Sequence, residues 1–299
     1  MTGRTRRLRL PATALGVVLA VAGLAGCGSG SKARSTAPQP VDPATVYPAA
    51  AGLRGGGPPQ PNGSTWVLVR TGAAANVQDL DLATGKVVGV VPVSAAASAV
   101  TELSTGVLVV GTATSRAGSL ELRNGTTGTL SRTVALSGPV HALAPGANGT
   151  TVYALVGTTK AEAVEVVDSA DGKVTGTIAV STGSVAVAAS PAGSDVYVLA
   201  ASGSVTDYPT AGGSAASSFP VGSDGVGLAI SPDGTTLYVL KGPATSRNVA
   251  VVDLATQSVR RVLPAPANAV GLAVAADGST LYDLVGTPSY GNIQAFRLG

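Results

Sequence analysis

Ser231-Pro232-Asp233-Gly234-Thr235-Thr236-Leu237-Tyr238-Val239-Leu240-Lys241 decides how this chain is read. Its Pro-Asp-Gly core is turn chemistry: proline presets φ, aspartate bonds the backbone two residues on, and glycine accepts a positive φ. The Leu-Tyr-Val-Leu run after it is a strand by length and composition. Val226-Gly227-Leu228-Ala229-Ile230 precedes the turn and Asn248-Val249-Ala250-Val251-Val252-Asp253 follows. The unit therefore reads strand, tight turn, strand, loop, strand.

Working outward, the same phrase recurs. Thr65-Trp66-Val67-Leu68-Val69, Gly106-Val107-Leu108-Val109-Val110, Val152-Tyr153-Ala154-Leu155, Val196-Tyr197-Val198-Leu199 and Leu281-Tyr282-Asp283-Leu284 are copies of the central strand, spaced about every 41 to 45 residues. Ala276-Asp277-Gly278 and Ala147-Asn148-Gly149 repeat the turn, Asp81 and Asp168 end third strands, and runs such as Val87-Val88-Gly89-Val90-Val91 supply a fourth. A period of that size with four short strands is the signature of a propeller blade. The expected fold class is all-β: a single β-propeller of four-stranded blades. Six blades are favoured over seven, because a seventh needs about forty more residues than the patterned region offers. The first copy lacks an inner strand and the last an outer one; Ala44 to Leu53 is available to fill either gap.

Over residues 64–299, and best in 226–263 and 270–298, these units resemble the YVTN-type propeller repeats, relatives of the WD-repeat propellers. The family's Thr-Asn after Tyr-Val is here Leu240-Lys241 or Leu199-Ala200. The resemblance implies fold. Its members serve several functional classes, some of them lactonases, so it implies little about activity.

The first 26 residues join a basic start (Arg4, Arg6, Arg7, Arg9) to an apolar run from Leu8 to Ala25, the layout of an export signal. Arg6-Arg7 also matches part of a twin-arginine pattern, with ordinary secretion the default. Leu24-Ala25-Gly26-Cys27 resembles the bacterial lipobox, which implies acylation of Cys27, with fatty acyl chains such as palmitate holding the protein at a membrane surface. Residues 27–62 are rich in Gly, Ser, Ala and Pro and read as a tether; residues 63–299 read as the propeller. The expected location is the outer face of the cytoplasmic membrane, lipid-anchored. With 1 cysteine in the chain, no internal disulfide can brace the fold.

The chain carries 19 Lys+Arg against 16 Asp+Glu, but four of the arginines lie in the leader. Without them the acids slightly outnumber the bases, which removes the general electrostatic case for nucleic-acid binding. Loops joining second to third strands share one propeller face, and there stand Arg70, Arg116, Lys160, Lys241, Arg247 and Tyr290, opposed mainly by Glu162. The opposite face gathers the turn aspartates, among them Asp81, Asp168, Asp233, Asp253 and Asp277, partly offset by Lys86 and Lys173. A basic rim suits an anionic partner: a carboxylated ligand, an envelope polymer or an acidic protein surface. Turn chemistry alone accounts for the aspartates.

Catalytic signals are sparse. His141 is the sole histidine, which excludes multi-histidine metal sites, and neither a metal nor a cofactor is expected. His141 falls in an inner strand, aligned by eye with Ala186, Gly227 and Gly271; Glu102 aligns with Val187, Leu228 and Leu272. The two could act as base and acid at the channel mouth of a lactonase-like hydrolase, the alternative to a monomeric binding or scaffold module. Adjacent columns of a strand point to opposite faces, which weighs against that pair.

Overall fold

The computed structural model describes residues 45–49 (backbone only), 53–60, 63–71 and 73–298. The leader, Cys27 and the tether up to residue 44 lie outside the described residues.

Six four-stranded antiparallel sheets form the chain's blades. The inner strands are, in order, Leu53–Gly56, Ala97–Glu102, Val140–Pro145, Ser184–Ala189, Gly225–Ile230 and Ala269–Val274. Each is joined by a tight turn to a second strand, exemplified by Thr236–Lys241 in blade 5. Gly234 takes φ 72° there, Asp233 Oδ1 accepts from the Ser231 hydroxyl and from the Thr235 amide, the latter at 3.0 Å, and these bonds, the Ser231 one foremost, hold the Asp233 carboxyl below the usual range. Asp81 and Asp277 cap their turns in the same way.

The gap-filling segment fills both gaps. Thr45–Ala49 pairs with Gly291–Arg297 and becomes the outer strand of blade 6, while Leu53–Gly56 pairs with Ser64–Thr71 as the inner strand of blade 1. The expected tether is therefore corrected at its end: the propeller begins at Thr45, not residue 63, and the N-terminal strand closes the ring. A compact unit spans Pro38–Gly299 and contains every blade.

Among the described residues there is no single core. Apolar residues collect in six seams between radial sheets, one for each neighbouring pair. Seam 5–6, for example, packs Tyr238, Leu240 and Val251 against Leu272 and Leu281. The closing seam packs Leu53, Val67 and Leu80 against Leu284 and Ile293. A fully buried leucine contributes ~1.5–3 kcal/mol by transfer, so the ring is held by repetition of modest seams. The tyrosine column (Tyr153, Tyr197, Tyr238) is buried in these seams, and Trp66 takes the same place in blade 1.

Candidate functional site

Every inner strand carries a β-bulge at the same place, between Leu53/Gly55, Ala97/Ala99, Val140/Ala142, Ser184/Ala186, Gly225/Gly227 and Ala269/Gly271. A bulge inserts one residue without a partner and re-aims its side chain. The six inserted residues are Arg54, Ser98, His141, Val185, Val226 and Val270, and all of them line one cavity of about 140 Å³ at the channel mouth. One step further in, the strands carry only glycine or alanine. A Cβ added at Gly55 or Gly271 would meet no atom within 4 Å, so the small residues leave space open rather than relieve crowding. Leu143, Val187, Leu228 and Leu272 form a waist, and beyond it lies an apolar cavity of about 150 Å³ reaching Pro58, Pro145, Ile230 and Val274.

His141 is exposed at the mouth, and its Nε2–H donates to the Gly157 carbonyl at 2.9 Å, the carbonyl being able only to accept. Gly157 itself has φ 146°, and a Cβ there would lie 2.4 Å from the Ala161 carbonyl oxygen. Glycine is needed for the carbonyl to take this position.

Glu102 stands elsewhere. It is at the far end of its inner strand, paired with Leu108, four residues beyond the bulge position that His141 occupies, on the order of 12 Å along a strand. Its carboxylate Oε2 accepts the indole N–H of Trp66 at 3.0 Å, tying blade 2 to blade 1. Burial pushes this carboxyl up; the Trp66 bond opposes the rise and Asp79 reinforces it. Strand register corrects the expected counterparts: those of His141 are Val185, Val226 and Val270, and those of Glu102 are Ala189, Ile230 and Val274. The two groups do not share a pocket, so the acid–base pair expected of a hydrolase is not assembled.

Strand direction carries the expected rim to the same face as the bulge ring, because second strands end where inner strands begin. Arg70, Arg116 and Lys160 are exposed there, as is Tyr290 at 43%. Lys241 is half-buried, and Arg247 turns inward. The Arg247 guanidinium donates to the Gly242 carbonyl; burial lowers its pKa, with Asp224 opposing that shift. It serves as a loop clamp more than a free cation. Glu162 likewise accepts from the amides of Gly183 and Ser184 and bridges a loop. None of the rim residues lines the mouth cavity.

Arg54 escaped sequence reasoning because its strand, Leu53–Gly56, reads as linker; the apolar residue before it was the only signal. Asp283 was passed over within its own repeat, although Val239, Val198 and Ala154 stand at the matching place. It is 0% exposed, and neither carboxyl oxygen has a hydrogen-bond partner. Desolvation pushes its pKa up to about 7. Beside it, a cavity of about 80 Å³ in seam 5–6 is lined by Arg261, Leu263, Leu281, Phe296 and Arg297.

These features define a six-bladed propeller with a polar channel mouth on its basic face. Compared with known proteins, no family model matches the chain, and no curated protein does. Among solved structures of like shape is Kuenenia stuttgartiensis hydrazine synthase, at 15% identity and a TM-score of 0.60, with 90% of this chain and 99% of that chain covered. At that identity the likeness carries the propeller fold alone.

Proposed function

We propose that this chain is a lipid-anchored binding module, exported and held through acylated Cys27, whose basic face captures an anionic component of the cell envelope. The YVTN-like repeats supply the scaffold, and the tether before Thr45 holds it off the membrane. One observation carries the reading: Arg70, Arg116, Lys160 and Lys241 converge on the face that also bears Arg54 and His141, while the turn aspartates occupy the other. A dipolar charge distribution of this kind steers an anionic partner toward one face. Exposed cations of this sort are screened by salt, so capture should weaken with ionic strength.

The test uses the compact unit from Pro38 onward immobilised against polyphosphate and polyglutamate. The triple variant Arg116→Ser, Lys160→Ser, Lys241→Ser should lose most of the retained polyanion at low salt. Equal retention by wild type and variant would remove the basic rim from the account. Separately, Cys27→Ala should abolish incorporation of labelled palmitate and release the protein from the membrane fraction; continued acylation would overturn the anchor.

A further inference from the structure

We propose that the channel mouth binds a short aliphatic carboxylate, its anion held by Arg54, Ser98 and His141 and its chain packed on Val185, Val226 and Val270. This deepens the reading of the basic face as a binding surface. Three observations carry it. First, the six bulges aim one residue per blade at a shared cavity of about 140 Å³. Bulges placed for strand twist alone carry no demand on residue type, yet here the ring is divided by chemistry: blades 1 to 3 present arginine, serine and histidine in sequence, and blades 4 to 6 present valine three times. Second, glycine at 55 and 271 leaves space that a Cβ would fill without a clash, so a void is kept where packing did not require one. Third, the His141 ring is fixed at the cavity lining by its Nε2 bond to the Gly157 carbonyl, so a polar group is held in place there.

The ligand class follows from these groups. Arg54 is the one fully charged group in the lining, and its planar fork matches a carboxylate through two parallel hydrogen bonds. One arginine balances a monoanion and leaves a doubly charged phosphate uncompensated. The serine hydroxyl adds a donor, and the imidazole of His141 adds a polar group on the same side of the cavity. The valine half offers no polar side chain and disfavours a ligand hydrated all round. Leu143, Val187, Leu228 and Leu272, which line both this cavity and the next, continue the apolar surface for the chain. An ion with an apolar tail of a few carbons satisfies both halves at once; a bare anion or an aliphatic amine satisfies one.

The sole histidine makes the site its own reporter. In the untagged unit from Pro38 onward, hexanoate should shift the imidazole resonances saturably, whereas sulfate and hexylamine should not compete. Arg54→Gln should weaken hexanoate binding about tenfold or more, the loss of one charge-assisted contact, and Val226→Asp should do the same from the apolar half. Arg54 is exposed, so the Arg54→Gln variant should keep its melting temperature. Unmoved His141 resonances, competition by sulfate equal to hexanoate, or full binding by Arg54→Gln would each overturn the proposal. The rim triple variant should bind hexanoate normally. Failure of the wild-type unit to capture polyanion, with intact hexanoate binding, sinks the rim alone, and polyanion capture by wild type without a hexanoate response sinks the mouth alone.

Discussion

Asp283→Asn should stabilise the propeller above neutral pH and leave it little changed at pH 5. The wild-type carboxyl is buried in seam 5–6 without a hydrogen-bond partner, and its pKa rises from 3.8 to about 7 through desolvation. At 1.36 kcal/mol per unit, that rise corresponds to roughly 4 kcal/mol of differential stability. The sign follows from proton counting. Between about pH 4 and pH 7 the unfolded chain has released this proton and the folded chain keeps it. The contribution to stability is therefore full below the unfolded pKa, falls as pH rises through the window, and is gone above the folded pKa. About 2–3 kcal/mol of the loss lies between pH 5 and pH 8. In a domain of this size that amounts to roughly 5–10 °C in Tm. Thermal and urea denaturation of wild type and Asp283→Asn at both pH values measures it as a double difference, which cancels the other carboxyls. Asp283→Val, which restores the residue that blades 4 and 5 carry at Val198 and Val239, should behave alike or better. Parallel pH profiles for wild type and variants would refute the reasoning. So would a less stable Asp283→Asn at pH 8, since that result means Arg261 or Arg297 swings in to pair with the ionised carboxylate.

Other outcomes follow from the same geometry. The sole tryptophan, Trp66, donates to Glu102, so its fluorescence should change with a midpoint above the ordinary glutamate range, and Glu102→Gln should flatten that change; a flat wild-type profile contradicts the bond. Deleting residues 45–49 leaves Gly291–Arg297 an unpaired edge, and the shortened propeller should melt earlier and self-associate, checked by calorimetry and light scattering. Gly157→Ala puts a Cβ into the Ala161 carbonyl and should cost ~2 kcal/mol or more while displacing the His141 ring resonances. An unshifted spectrum would show that the carbonyl does not position the imidazole.

Much of the architecture was legible because its causes are local. Pro-Asp-Gly makes a turn wherever it stands, and Leu-Tyr-Val-Leu makes a strand that must bury both faces. Repetition of the two gives blades, and strand direction then assigns each loop to a face, which is why Arg116 and Lys160 could be placed on one side from sequence. The bulges were not legible. One extra residue per inner strand leaves the spacing between blades unchanged and is compatible with the Gly, Ala and Val around it, so nothing local marks Arg54, Ser98 and His141 as sharing one cavity.

What the sequence determined by itself was the unit and its recurrence, for these rest on turn chemistry and on alternation within a few residues. The tertiary structure decided what depends on distant segments meeting. Thr45–Ala49 became the closing strand because Gly291–Arg297 offered an edge, and Arg247 became a clamp because its own loop folded back over it. Asp283 became a buried acid because blade 5 covers it. Arg54 and His141, 87 positions apart by their numbers, came to one cavity because a closed ring points every bulge at the same axis.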